Sequence, residues 1–105
     1  MSDPITKIPV LDLQTFLFAV GNEMRWTILR YLCDGEGYGA TDFAGILHCS
    51  STAASKHLNV LVKAGICVRG RGNLYRLTPS YRPAAGKKEI DFGHCLARLD
   101  YQPAS

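Results

Sequence analysis

Apolar positions over the first two-thirds of the chain recur at the spacing of helices that each turn one face to a core. Leu13, Phe16, Leu17 and Val20 stand at i, i+3, i+4 and i+7, with Asp12 ahead of them as an N-cap. Leu11 and Phe18 fall on the opposite side of that helix, and two apolar sides on one short helix point to contact with a second subunit. Gly21 and Asn22 interrupt the pattern. Asn22 can cap a second helix over about 23–33 that buries Met24, Ile28, Leu29 and Leu32, with Trp26 and Tyr31 at its flanks. Asp34-Gly35-Glu36-Gly37 is a loop, and a third helix over about 40–48 offers Phe43, Ala44, Ile46 and Leu47 for burial. His48 then occupies a sharp turn, where a left-handed backbone suits His better than most residues, so it reads as a turn residue and not a ligand.

The stretch "SSTAASKHLNVLVKAG", residues 50–65, predicts a fourth helix with Ser50 or Ser51 as N-cap and Gly65 as the left-handed stop. At about 100° per residue, Ala54, Leu58, Leu61 and Val62 share one side, while Thr52, Ser55, Lys56, Asn59 and Lys63 share another. After Gly65, "ICVRGRGNLYRLT" gives two β-prone runs around Gly70-Arg71-Gly72-Asn73, a hairpin with arginine at its tip. Residues 1–9, with Pro4 and Pro9, read as a mobile arm, and 10–80 as one compact domain. Residues 81–105 read as an extension whose stretch 88–99 alternates as one β-strand, with Ile90, Phe92, His94 and Leu96 on one side. Such a strand could join the hairpin as a third member and cover its edge.

A polar helix side is ordinarily just solvated. Charge changes the picture here. From Phe43 to Lys88 the chain carries Lys56, Lys63, Arg69, Arg71, Arg76, Arg82, Lys87 and Lys88 and no Asp or Glu. The net charge of +3 understates this local excess, which suits an anionic polymer. Two short helices joined by a tight turn, the second with small residues at its N-terminus, followed at once by a basic hairpin, make a winged helix-turn-helix, mainly α with a small β element. In that fold the second helix descends into the major groove and uses Ser, Thr, Asn and Lys on base edges and phosphates. The hairpin's Arg69, Arg71 and Arg76 can grip the neighbouring backbone or minor groove.

At this point a family resemblance appears. "VGNEMRWTILRYL", with Arg25 and the Ile28-Leu29 pair, resembles the second-helix segment of the ArsR/SmtB family of small dimeric winged-helix repressors, and "HCSSTAASKHLNVLVKAGI" is similar to its recognition-helix segment. The likeness covers about residues 12–78. It implies DNA contacts from Ser51, Thr52, Ser55, Lys56 and His57 together with the hairpin arginines. For His57, packing against a neighbouring helix is an open alternative.

Two departures concern metal sensing. The metal-sensing relatives typically place a paired-cysteine motif on the third helix, where this chain reads "GATDFAGIL", and often carry a C-terminal helix bearing His and acids, where this chain has the strand-like tail. His94 and Cys95, adjacent on a strand, would point to opposite faces. No cofactor and no metal site are therefore expected.

The remaining features bound the function. At 105 residues the chain is one domain with one core, shared if a second copy contributes. Cys33, Cys49, Cys67 and Cys95 lack CxxC or CxC spacing and read as free thiols. The first apolar stretch is interrupted by Asp12 and Gln14, and no run approaches the roughly 20 residues of a membrane span, so a cytoplasmic protein without membrane contact is expected. No triad, phosphate loop, paired carboxylates or complete metal motif supports an enzyme. The reading is a homodimeric DNA-binding regulator, a repressor on an inverted-repeat site of double-stranded DNA. The rivals are a winged-helix protein-interaction module with an acidic partner and a metal- or thiol-responsive repressor with non-standard sites.

Overall fold

The computed structural model describes residues 11–100, so the arm over 1–9 lies outside the described residues. Helix α1 (Leu13–Val20) starts where the Asp12 carboxylate accepts the Thr15 N–H at 3.2 Å, and α2 (Glu23–Leu32) where the Asn22 side chain accepts from Met24 and Arg25. Each cap satisfies N–H groups that the helix itself leaves without acceptors. Helix α3 (Ala40–Leu47) begins at Gly39, whose N–H donates to Asp42, and ends at His48 in the left-handed conformation, φ 57° and ψ 48°. This turn aims α4 (Ser51–Lys63) across α3, against which it packs.

Strands β1 (Cys67–Arg69) and β2 (Tyr75–Leu77) pair antiparallel, Cys67 opposite Leu77 and Arg69 opposite Tyr75. Gly65, at φ 83°, reverses the chain out of α4, and Thr78 fastens the far end of the hairpin, its N–H on the Ile66 carbonyl and its hydroxyl on that of Gly65. The expected third strand is not the tail. Instead Tyr38, from the α2–α3 loop, exchanges both main-chain hydrogen bonds with Tyr75, at 3.1 and 2.7 Å, and takes the edge of β2.

The tail differs from the single strand expected over 88–99. It forms its own antiparallel hairpin of β3 (Glu89–Asp91) and β4 (Leu96–Arg98), with Ile90 opposite Ala97. The Asp91 carboxylate accepts the Gly93 N–H, and Gly93 has φ 95°, so the chain reverses where strict alternation would have carried it on. Ile90 and Phe92 point inward as expected. His94 and Leu96 do not, and Ala97 and Leu99 replace them in the core.

One core joins all these pieces, from Phe16 and Val20 of α1 through Ile28, Leu29, Phe43, Leu58 and Leu61 to Ile90, Phe92 and Leu99 of the tail. Two core assignments change. Leu13 and Leu17 are more than half exposed while Ala19 is buried, because α1 is apolar almost all round and the tail settles on the side of Phe16. In α2 the buried stripe is Arg25, Ile28, Leu29 and Leu32, which leaves Met24 outside.

Candidate nucleic-acid interface

Helix α4 presents its polar side outward as its sequence requires. Ser50 accepts the Ala53 N–H at 3.0 Å, which fixes the first turn, and Ala54, Leu58 and Leu61 are fully buried against the core. Ser51, Thr52, Lys56, Asn59 and Lys63 are exposed, Ser55 is half-buried and Val62 only partly covered. The side chains grouped by the wheel thus lie together on one accessible face.

The hairpin residues separate into three situations. Arg71 stands exposed at the tip, in the turn Arg71–Asn73 where Gly72 and Asn73 both have positive φ. Arg69 donates from Nε and a terminal nitrogen to the Asn73 side chain at 3.2 and 2.9 Å, and its guanidinium lies 5.9 Å from the Tyr75 ring centre. Arg76 faces away from the tip. Its guanidinium lies over Gly37, where a β-carbon would come within 2.8 Å of Cζ, so it braces the α2–α3 loop against the hairpin.

His57 is held from beneath. The buried Arg25 donates to the Ala19 carbonyl at 2.7 Å and the Phe18 carbonyl at 2.9 Å, and its third nitrogen lies 3.0 Å from His57 Nδ1. Guanidinium nitrogens only donate, so Nδ1 accepts and the imidazole proton sits on Nε2. Burial, and then the charge of Arg25, hold the His57 pKa below its ordinary value, so the ring is neutral at pH 7. This contact realises the packing alternative for His57. Arg25 stands three and four residues before Ile28 and Leu29 on the buried stripe, but helical spacing does not reveal the acceptors that a buried guanidinium needs.

Residues 22–67, from the cap of α2 to the first residue of β1, match the profile of a family described as bacterial regulatory protein, arsR family. Over this stretch the chain is similar to the helix-turn-helix domain of ArsR-family regulators. Such a domain belongs to DNA-binding transcriptional regulators, and its matched segment contains the Arg25–His57 pair and the whole polar face of α4. A search among curated proteins finds no match. The four thiols are free, and among the described residues no group of three or more His, Cys, Asp or Glu is placed to hold a metal ion. His94 lies in the tail turn, donating from Nε2 to the Leu11 carbonyl at 3.2 Å with its ring against Phe16, while Cys95 beside it is exposed. Among the described residues no helix is long and apolar enough to cross a membrane.

Proposed function

We propose that the chain is a homodimeric repressor of transcription, acting in the cytoplasm on an inverted-repeat site in double-stranded DNA. The observation that carries this reading is the accessible face of α4, which groups Thr52, Ser55 and Asn59 with Lys56 and Lys63 and is followed by an exposed hairpin arginine, in a stretch free of acids. Hydroxyls and amides beside lysines suit base edges next to phosphates, whereas an acidic protein partner could be met by charge alone. Ser51, Thr52, Ser55 and Asn59 read base edges at the groove floor or bond the phosphates at its rim. Lys56, Lys63, Arg69 and Arg71 hold the backbone. His57 and Arg76 act from behind the surface, because their polar atoms face Arg25 and Gly37.

The second copy is accommodated by α1. Leu13, Leu17 and Phe18 are 58%, 56% and 66% exposed, an unusual concentration of apolar side chains on eight residues of helix. Leu11, half-buried under the tail, no longer belongs to that surface. Two copies joined there would present two α4 helices to successive major grooves, as an inverted repeat requires.

Selection of binding sequences from random duplex, followed by titration at several salt concentrations, tests the proposal. Affinity is expected to fall steeply, log K dropping by about 0.9 per phosphate neutralised for each tenfold rise in salt. A flat response, or tight binding to an acidic protein with none to duplex, contradicts it.

A further inference from the structure

We infer that Arg25 is a positioning residue for DNA binding: it seats the recognition helix through a neutral His57, so that protonating His57 releases the helix and weakens binding. The inference rests on the DNA-binding reading above and adds a regulatory consequence that runs against the ordinary effect of acid on a protein that binds phosphates. A histidine on a DNA-binding surface normally gains a favourable charge on protonation, and affinity rises as pH falls. Here the geometry reverses that sign.

The argument starts from the three bonds of Arg25. Two go to the carbonyls of Phe18 and Ala19, at the end of α1, where helical carbonyls have no partners of their own. The third goes to His57 on α4. One buried guanidinium therefore ties the end of α1, the start of α2 and the middle of the recognition helix. The Phe18 ring, 5.3 Å from Cζ, covers it from outside. The bond to His57 exists only while Nδ1 keeps its lone pair. Protonation there would remove the acceptor and place an imidazolium against a cation that cannot move away without abandoning two carbonyls.

Among the described residues no carboxylate bonds to the ring to relieve the conflict. On the elements packed against α4, the charged side chains besides Arg25 are Glu23 and Arg30 of α2, Asp42 of α3 and Arg69 of β1, and none bonds to the ring. Lys56 precedes it on α4 itself. The relief available to the imidazolium is to swing outward, carrying the helix with it or losing the contact that fixes its depth. The bias against protonation agrees with the lowered pKa of His57, whose main cause is burial.

The test compares duplex binding between pH 8 and pH 5.5 for the wild type, His57→Gln and His57→Arg, with folding followed by circular dichroism at each pH. Glutamine can accept from Arg25 through its carbonyl and does not titrate. The wild type is expected to lose affinity as pH falls through the lowered His57 value, with a slope of up to tenfold per pH unit, the limit for one proton. His57→Gln should lack that decline, its affinity staying level from pH 8 to pH 5.5. His57→Arg should bind more weakly at every pH although it adds a positive charge. Stronger wild-type binding in acid, or a gain from His57→Arg, overturns the inference. Failure of the wild type to bind duplex at pH 8 would instead remove the DNA-binding reading. Imidazole ¹⁵N shifts of the free protein then decide the remainder, since Nδ1 must be the unprotonated nitrogen at pH 7.5, and a protonated Nδ1 overturns the link itself.

Discussion

Phe92 of the tail meets Phe16 of α1 edge to face, ring centres 5.0 Å apart at 60°, and both are buried. Tyr81 closes the other side of Phe92 at 5.3 Å. The extension beyond the helix-turn-helix is therefore part of the core, and Phe92→Ala should destabilise the protein by about 3 to 5 kcal/mol, the usual cost of removing a buried ring. Thermal or urea unfolding measures this. A melting temperature unchanged by Phe92→Ala, or a folded protein after deletion beyond Pro83, would show that the tail is dispensable.

Acid should reduce stability as well as DNA binding, through the same histidine. The folded-state pKa of His57 lies below its unfolded value of about 6.5, so between the two the unfolded chain binds more protons. The contribution is fully present above about pH 6.5 and is lost as pH falls through the folded value. His57→Gln should lose less stability than the wild type between pH 7.5 and pH 5.5. Parallel declines in the two proteins would contradict the link to Arg25.

The thiols should differ sharply in reactivity. Burial pushes Cys67 up to about 12, and it pushes Cys33 up to about 11 against the opposing charge of Lys88 and with a further upward push from Asp34. Both are enclosed in the core, while Cys95 is exposed. Alkylation at pH 8 should modify Cys95 first and reach Cys67 and Cys33 at the rate of unfolding. Labelling of Cys67 as fast as Cys95 would argue against the position of β1.

Leu13→Glu and Leu17→Glu address assembly. Both positions are exposed in the single chain, so neither change should cost much monomer stability, yet each buries a charge if α1 is the subunit contact. Sedimentation should show a dimer for the wild type and monomers for the variants. Equal masses in all three would place the contact elsewhere.

Much of this was legible in the sequence, and the lapses have specific physical causes. Asp12, Asn22 and Ser50 cap their helices, His48 and Gly65 take left-handed turns, and the arginine hairpin forms, because these features depend on local chemistry that the chain states outright. Helix α1 misled because nearly every side chain on it is apolar, and periodicity cannot choose a face without knowing where the tail will lie. Arg25 was missed in favour of Met24 because a buried cation needs three acceptors, two of them carbonyls on another helix, which no spacing rule reveals. The tail's alternation was real up to Phe92. Gly93 then reversed the chain, and Tyr38 already held the strand edge that the tail was expected to fill.

The most direct test of the central claim is the ratio of operator to random-duplex affinity at one salt concentration, measured for the wild type, Thr52→Ala and Arg71→Ala. If α4 reads bases and the hairpin tip holds backbone, Thr52→Ala should narrow the ratio about fivefold or more, equivalent to about 1 kcal/mol of lost discrimination, while Arg71→Ala lowers both affinities together and leaves the ratio intact. Equal loss of both affinities in the two variants would contradict base reading by this helix.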